Sequence, residues 1–486
     1  MSEFSIKDAA EPFLKRLPAV SKPVGHVHFR KKLAWTVGVL VIYFILTNVM
    51  IFGLSPQSHD LFGFYRAIMA GSSGSIMQLG IGPIVTASII LQLFKGADII
   101  KLDTSDPRDQ AIYQGLQKLL IFVMIFVEAA PQVLGGYLAP DPGLAASTGL
   151  GLHGISLIIF IQVIIGGVLI LFLDEIVSKW GVGSGVGMFI VAGVAQGLVT
   201  GTINWNIEAP TGLAAGFIPR LIQLFSSASL PQLLSSQGLT FLLIQGGILA
   251  AISTVAIFAV VVYVESTRIE IPLAHSSVRG ARGRFPVKLI YASVLPMILV
   301  RALQANVQMV GILLYNAGFT WVGTFTGNKP TSGLMYYLAP INSPSDWLPS
   351  LSGHLWYEVF LRSGIDITVM VLGGIIFALF WIETTGMGPK AVAAQIQSSG
   401  MSIPGFRRDP KIIEKVMTRY IPKVTVIGGA FVGLLAVVAN FLGTIGNVGG
   451  TSLLLAVSIV YRLYEQLANE QVMEMHPMLR RFLGEA

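Results

Sequence analysis

Cysteine is missing from this sequence, and charge is scarce. None of the 486 residues is a cysteine, which excludes a disulfide framework, a thiolate nucleophile and a cysteine-ligated metal site. Charged residues make up 12% of the chain and hydrophobic residues 53%, whereas an average soluble domain carries roughly 25% charged residues. With a mean hydropathy of +0.72, the composition indicates a protein whose main solvent is lipid.

A cleavable signal and familiar catalytic motifs are also missing. Residues 1–32 lack the apolar core and small-residue cleavage site of a secretory signal, so we expect the first helix to direct membrane insertion. No Gly-Lys dipeptide and no His-Glu-x-x-His motif occurs, which excludes a phosphate-binding P-loop and this type of zinc protease. The sequence therefore predicts no enzymatic activity, no cofactor and no metal site.

One short motif leaves a hydrolase alternative open. Gly71-Ser72-Ser73-Gly74 matches the Gly-x-Ser-Gly pattern of intramembrane serine proteases. Such an enzyme needs a histidine in a neighbouring helix to activate the serine, and no apolar run offers a well-placed one. A glycine- and serine-rich bend before a helix is the simpler interpretation.

Ten apolar runs are candidates for membrane-spanning helices, which need about 20 mostly apolar residues. They are 35–54, 79–94, 119–138, 155–173, 186–199, 241–264, 289–314, 365–381, 424–442 and 451–464. The second, fifth and tenth are short and flanked or interrupted by glycine, which is tolerated where a segment lines a cavity or packs inside the protein. The sequence predicts an all-α polytopic membrane protein of about ten transmembrane helices.

The segments that connect these runs are alternately rich and poor in lysine and arginine. The segments 1–34, 95–118, 174–184, 265–288, 383–423 and 462–486 hold 27 of the 32 basic residues. The other side and the membrane edge hold Arg66, Arg220, Arg301, Lys329 and Arg362. Because loops rich in basic residues stay in the cytoplasm, both termini are predicted to be cytoplasmic, which requires an even number of spans.

Two of the basic loops, 265–288 and 383–423, are too long to be simple connectors. They suit topology anchors that attract anionic lipid. They equally suit a docking surface for an anionic partner such as a ribosome with its RNA. Composition leaves both interpretations open.

Few ionisable residues lie inside the apolar runs. Glu128 lies in the third run, whereas Asp174, Glu175, Glu265 and Glu383 lie at predicted cytoplasmic helix ends. An ion-coupled transporter usually needs more intramembrane charge, although ten helices also suit that class. The shortage of polar groups favours a pathway that binds no particular solute, with a secondary transporter of a small solute as the alternative.

The segment before the second run has amphipathic spacing. Phe62, Tyr65, Ile68 and Met69 recur at helical intervals. This pattern fits a helix on the outer membrane surface, and it also fits a mobile plug within an outer funnel.

Aliphatic pairs follow in the second and fifth runs. Ile81 with Val85, and Val186 with Ile190, are four residues apart, so each pair shares one helical face. Such pairs commonly face lipid or the core, but a ring of aliphatic side chains also closes a channel by dewetting. Spacing does not decide between these roles.

Long motifs of the sequence resemble one family. In chain order they are LGIGPIVTASIILQL, QGLQKLL, LDEIVSKWGVGSGVGMFI, RIEIPLAH, FWIETTGMGPK, GFRR, AFVGLLAVVANFLG and VSIVYRLYEQL. Over essentially its full length the chain is similar to archaeal-type SecY, the large, channel-forming subunit of the Sec protein translocon.

This resemblance implies two pseudo-symmetric five-helix halves around a central pore. The halves are 35–204 and 241–466, joined by an external loop at 205–240 and flanked by cytoplasmic segments at 1–34 and 467–486. The pore is expected to be an hourglass with an aliphatic ring at its waist and a plug at about 64–74. By motif, the ring residues are Ile81, Val85, Val186, Ile190, Ile298 and Leu455. The plug residues are Phe64, Tyr65, Ile68, Met69, Gly71 and Gly74.

The resemblance also implies a lateral gate between the second and third helices and the seventh and eighth helices. Its residues are Thr86, Glu128, Ser293 and Val294. Val294 stands where relatives often carry asparagine, which predicts a gate without that polar contact and a shifted hydrophobicity threshold for opening. Ribosome docking is expected from Arg268, Arg279, Arg282, Arg284, Arg407 and Arg408, although Ile269 and Glu270 stand where relatives often carry arginine.

The function implied is a passive protein-conducting channel in the cytoplasmic membrane. It would translocate secretory polypeptides and insert membrane proteins laterally into lipid. The implied partners are a SecE-like and a small beta-type subunit in a heterotrimer, the ribosome, signal peptides and nascent chains, membrane lipid, and SecDF-type accessory proteins.

Overall fold

The structure is a computed structural model of the 486-residue chain. It describes residues 12, 14, 16–25, 27–55, 69–96, 99–100, 102, 106–135, 137–208, 212–227, 235–275, 282–288, 295–326, 329–398, 401–402 and 410–475. Structural statements below refer to these residues.

Ten long helices overlap the ten predicted apolar runs, in the same order. They are α1 (Phe29–Asn48), α2 (Gly82–Gly96), α3 (Pro107–Leu134), α4 (Gly151–Trp180), α5 (Gly185–Ile203), α6 (Ile248–Ser266), α7 (Leu295–Asn316), α8 (Trp356–Thr384), α9 (Pro410–Leu442) and α10 (Gly450–Met475). Seven of the described helices meet a length and composition criterion for crossing a membrane, and α2 is a shorter apolar helix. The prediction of an all-α polytopic membrane protein is confirmed.

Two of the ten helices, α10 and α2, differ in length from the other spans or from the predicted run. The tenth run was predicted to end at Tyr464, but α10 continues to Met475, because a helix continues past the membrane where charged residues interrupt the apolar run. In contrast, α2 has 15 residues and most of them are buried. A helix this short suits the interior of the bundle better than its lipid-facing rim.

The outer faces of the long helices are apolar and exposed. On α1, Val41 is 52% and Ile45 58% exposed, and on α6 Val255 is 70% exposed. Contiguous exposed apolar surface is rare on soluble monomers. On this chain it is the surface that a lipid bilayer covers.

The long helices contact one another in two groups. In the first, α4 packs against α1, α3 and α5, and α3 packs against α2; in the second, α8 packs against α7 and α9, and α10 against α6 and α9. The groups meet along two lines. One joins α2 to α7 and α8, and the other joins α5 to α10. This pattern agrees with the two predicted halves, whose exact boundaries stay a prediction.

The second line of contact is unusually close. A Cβ placed on Gly201 of α5 would lie 2.0 Å from Cα of Gly446, in the turn before α10. Gly446 itself has a φ of +75°, which favours glycine. Glycine at both positions therefore lets the two backbones touch.

Short elements fill the connections. The helices are Pro142–Thr148, Phe217–Ser227, Ser236–Ile244, Gly333–Leu338, Pro344–Trp347, Pro349–Ser352 and Pro389–Ser398, with 3₁₀ turns at Thr320–Val322 and Ile445–Asn447. Two small antiparallel ladders pair Ile207–Glu208 with Leu213–Ala214, and Phe325–Thr326 with Lys329–Pro330.

A three-stranded sheet joins the two basic loops. Strand β1 (Arg268–His275) pairs antiparallel with β2 (Arg282–Lys288), with Arg268 opposite Lys288. Strand β3 (Met401–Ser402) adds to the other edge of β1. Loops 265–288 and 383–423, which look separate in the sequence, are thus parts of one structure.

The amino-terminal segment is tied to the same end of the first group. The backbone N–H of Val20 donates to Glu175 Oε2 at 2.8 Å, and the Lys179 ammonium donates to the Val20 carbonyl at 2.6 Å. Lys118 donates to the Pro18 carbonyl at 2.5 Å and also pairs with Glu175. These bonds fasten the ends of α3 and α4 to each other.

Candidate functional site

The predicted ring residues lie on helices that stand side by side. They come from α2, α5, α7 and α10, with Ile81 directly before the first residue of α2. Helix α7 contacts α2 and α10, and α10 contacts α5. Five of the six, namely Ile81, Val85, Ile190, Ile298 and Leu455, are at most 5% exposed and belong to one buried hydrophobic cluster. Val186 is partly buried and packs against that cluster. The structure brings these side chains into the same core, and their role as a ring stays a prediction.

The predicted plug lies partly outside the described residues. Phe64, Tyr65 and Ile68 fall there, whereas Met69, Gly71 and Gly74 are described. Met69 and Ala70 are buried, at 7% and 1% exposed, in the cluster that holds the ring residues. The end of the segment therefore lies inside the bundle, which favours the plug over a helix on the membrane surface.

Three hydrogen bonds hold this part of the chain. The Ile81 N–H donates to the Met69 carbonyl at 2.7 Å, and Tyr43 Oη of α1 donates to the Ala70 carbonyl at 2.8 Å. The Ile51 N–H donates to the Gly74 carbonyl at 2.8 Å. Ile81, a predicted ring residue, is thus bonded directly to Met69 of the predicted plug segment.

Gly80 makes this tight fold-back possible. Its φ is +57°, and a Cβ placed on it would lie 2.1 Å from the Met69 carbonyl oxygen. A side chain at this position would meet both a conformational penalty and a backbone atom. The sequence therefore needs glycine immediately before Ile81.

Two predicted gate residues are bonded across helices. Thr86 Oγ1 of α2 donates to Glu128 Oε1 of α3 at 2.9 Å, and Glu128 is 3% exposed. The other two predicted gate residues, Ser293 and Val294, lie outside the described residues.

An asparagine from α7 reaches the same place. A cavity of about 10 Å³, roughly the space of one water molecule, is lined by Gly82, Glu128 and Asn306 among others. Asn306 and Glu128 thus share a cavity at the contact between α2, α3 and α7, while the expectation about Val294 stays a prediction. The available signal was a polar residue inside the seventh apolar run.

A buried polar chain leads from Glu128, a predicted gate residue, to the predicted plug segment. The Gln132 side chain donates to the Glu128 carbonyl at 3.2 Å, and Gln78 Nε2 donates to Gln132 Oε1 at 3.1 Å. Gln78 Oε1 in turn accepts the Gly74 N–H at 2.8 Å. These contacts connect α3 to the backbone of the plug segment.

Three of the six predicted docking arginines lie in the three-stranded sheet. Arg268 is exposed at the start of β1, and the backbone of Arg282 and Arg284 lies in β2. Arg279, Arg407 and Arg408 lie outside the described residues. Strand β3 ends at Ser402, five residues before Arg407 in the sequence. Because β3 pairs with β1, the sheet brings the segment before Arg407 close to the end of the first basic loop's strand β1.

A large cavity opens at the opposite end of the bundle. Its volume is about 860 Å³, and its walls include the end of α5, the start of α6, the loop between α7 and α8, and the turn before α10. This is the end predicted to be external. Its assignment as the outer funnel stays a prediction.

Two buried charges were missed by the sequence predictions. Arg301 was counted with the basic residues of the external side and membrane edge, but it lies within α7 and is fully buried. Asp366 of α8 is 2% exposed. Arg301 was misplaced because a charge count assigns residues to sides without testing their depth.

The chain matches the SecY family model over residues 75–464, and residues 41–74 match the model described as the plug domain of Sec61p. It is 58% identical to the protein translocase subunit SecY of Archaeoglobus fulgidus over 99% of both chains. It is also 58% identical to that of Haloferax volcanii, covering 98% of this chain and 99% of the relative.

Solved structures agree with this similarity. The chain matches one described as a protein conducting channel, with a TM-score of 0.79, 39% identity, and coverage of 96% of this chain and 98% of that one. It matches Sec61 in the canine ribosome-channel complex from the endoplasmic reticulum with a TM-score of 0.76 and the same identity and coverage. The chain belongs to the SecY family and is a multi-pass membrane protein. The secondary-transporter alternative is thereby excluded.

Proposed function

We propose that this chain is a passive protein-conducting channel of the cytoplasmic membrane, which moves secretory polypeptides across and releases apolar segments sideways into lipid. The observation that carries the proposal is the burial of aliphatic residues at the start of α2 and on α5, α7 and α10, because the two helix groups contact each other through these helices. The name of the relatives, protein translocase subunit SecY, supports it.

The mechanism follows from solvent chemistry. An unfolded chain carries backbone polar groups that cannot cross hydrocarbon cheaply, at several kcal/mol for each unsatisfied group. A pore removes that cost, and an aliphatic waist seals it around a moving chain without binding particular side chains. No nucleotide-binding P-loop occurs in the sequence, so we propose that a partner supplies the driving force.

The lateral gate would open between α2 and α3 on one side and α7 and α8 on the other. The contacts of α2 with α7 and α8 support this division. The polar chain from Glu128 through Gln132 and Gln78 to Gly74 supports coupling between gate and plug. Asn306 of α7 lines the same small cavity as Met69, Gly71 and Glu128, so a signal sequence that separates α2 from α7 would open this cavity beside the plug segment.

A cysteine cross-linking experiment tests the channel and its gate. Because the chain has no cysteine, Asn306→Cys would be the sole thiol in the channel. We expect it to cross-link to a cysteine in the apolar core of a signal peptide on a stalled secretory chain.

Val255→Cys on α6, which is 70% exposed, is the control. It lies away from the α2–α7 contact and should not cross-link. Equal cross-linking from both positions, or none from Asn306→Cys with translocation intact, would contradict this gate.

We further propose that the β1–β2–β3 sheet and the arginines around it dock a ribosome. One structural relative is in a ribosome-channel complex. Reversing the charge of Arg407 and Arg408 should weaken ribosome co-sedimentation, because each arginine would lose a phosphate contact. The slope of log affinity against log salt should fall by about 1 for each arginine.

Lys329→Glu, on the loop predicted to be external, is the matched control for one charge reversal and should leave co-sedimentation unchanged. If the double reversal also binds ribosomes normally at every salt concentration, the basic loops serve as topology anchors instead.

The partners expected to complete the channel are a SecE-like and a small beta-type subunit, with SecDF-type accessory proteins. The exposed apolar faces of α1 and α6 offer surface for single-span partners as well as lipid. Cytoplasmic termini, predicted from the basic residues, complete the proposed topology.

A further inference from the structure

Two opposite charges lie inside the second helix group. The Arg301 side chain of α7 is 0% exposed and that of Asp366 in α8 is 1% exposed, with Arg301 Nη1 3.7 Å from Asp366 Oδ1. Charged residues at membrane depth are costly. A pair at this place therefore calls for a functional explanation.

Polar groups bond to both members of the pair, while Arg301 Nη2 has no hydrogen-bond partner among the described residues. Arg301 Nη1 donates to Gln304 Oε1 at 2.7 Å, and Gln304 Nε2 donates to Asp366 Oδ1 at 3.3 Å. The other carboxylate oxygen accepts the Ile341 N–H at 3.4 Å. The pair thus joins α7, α8 and the loop between them.

The guanidinium also reaches α10. Arg301 Nε donates to Thr451 Oγ1 at 3.3 Å. Asn440 of α9 holds the same threonine, donating from Nδ2 to its hydroxyl and accepting its N–H, both at 3.0 Å. One arginine therefore links all four helices from α7 to α10.

The cluster lies one helical turn from the predicted ring. Arg301 follows Ile298 by three residues, and Thr451 precedes Leu455 by four, so each polar residue shares a helical face with a ring residue. A bond between Arg301 and Thr451 consequently sets the axial register of Ile298 against Leu455.

We propose that Arg301 is a positioning residue for channel closure: with Asp366 it makes α7 and α8 move as one body, and through Thr451 it aligns two ring residues. The inference rests on the ring and gate of the proposed function. It adds the residues that keep α7 and α8 together while the proposed gate opens at their contacts with α2.

Apolar replacement separates this role from simple charge compensation. In Arg301→Leu/Asp366→Leu no buried charge is left unpaired, and such double replacements are often neutral for stability. We expect this variant to fold with its partner subunits but to conduct ions in planar bilayers roughly tenfold more than the parent when closed. Such a change corresponds to a loss of about 1.4 kcal/mol.

A disulfide can replace the part of the cluster that links α7 to α8. A Cβ placed on Gly373 of α8 lies 3.6 Å from Cβ of Val300 in α7, within the range of disulfides. Adding Val300→Cys/Gly373→Cys to the double leucine variant should lower the leak when oxidised, because the α7–α8 link returns, and the leak should rise again when the disulfide is reduced. The part of the leak that depends on Thr451 should remain in both states. Mere structural damage would not respond to oxidation.

The control is Thr425→Val on α9, since Thr425 is buried but bonds within its own helix, to the Ile421 carbonyl at 2.8 Å. It should conduct as the parent does, whereas Thr451→Val should leak. The inference is overturned if the double leucine variant closes as tightly as the parent.

The disulfide also separates this inference from the ring assignment. Faster oxidation of the cysteine pair in the parent than in the double leucine background would support a rigid α7–α8 unit whatever the conductance. Equal oxidation rates would contradict it. A failed ring assignment would instead appear as unchanged conductance in serine variants of the ring itself.

Discussion

Replacing Ile81, Ile190 and Ile298 together by serine should raise the resting ion conductance of the channel by at least about tenfold. Burying one large aliphatic side chain contributes about 1.5–3 kcal/mol, and about 1.4 kcal/mol corresponds to a factor of ten. The three side chains are at most 3% exposed. Serine hydroxyls would also hold water at a constriction that closes by excluding it.

Conductance of the reconstituted channel across planar bilayers is the measurement. The matched control replaces Ile155 and Ile159 of α4 by serine, since both are 0% exposed but lie outside the predicted ring. These control variants should lose stability without leaking. Unchanged closure in the ring variant, with normal assembly, would refute the ring assignment, and valine at the same three positions should stay closed.

Gly80→Ala is expected to open the resting channel by another route. The added Cβ would lie 2.1 Å from the Met69 carbonyl oxygen and 2.7 Å from the Gly71 nitrogen. Neither contact can be relieved by a flexible side chain, so the fold-back from Met69 to Ile81 must shift. The bond that joins the plug segment to Ile81 would be lost, and the leak should again reach about tenfold, the effect of about 1.4 kcal/mol.

Gly212→Ala supplies the control for backbone strain. Gly212 has a φ of +67° but open space around its Cβ position, so alanine there pays roughly 1–2 kcal/mol for the left-handed conformation alone. It should leave conductance unchanged. If Gly80→Ala also conducts like the parent, the plug segment is not held through Ile81.

The general architecture could be predicted from the sequence because lipid imposes simple demands. A long apolar run must be a helix when no water can satisfy its backbone. The distribution of basic residues predicts that the number of membrane spans is even. Each of the ten apolar runs therefore overlaps one helix of the structure. Helix ends were less accurate, as at α10, since a helix can continue past the last apolar residue.

Contacts between distant parts of the chain were harder to foresee. Asn306, Arg301 and Asp366 look like isolated polar residues in their runs, and only packing decides whether such a residue faces lipid, a cavity or a partner. The pairing of β1 with β3 joins loops more than 120 positions apart in the printed sequence. No periodicity within either loop indicates that the two strands pair.

The sheet has a mechanical consequence. Its strands emerge from the ends of α6, α7 and the α8–α9 connection, and Lys288 at the end of β2 pairs with Glu465 of α10 at 2.5 Å. A ribosome seated there would grip the second helix group alone. The second group would then stay fixed relative to the ribosome. The first group, which has no strand in the sheet among the described residues, would be the part that moves when the channel opens.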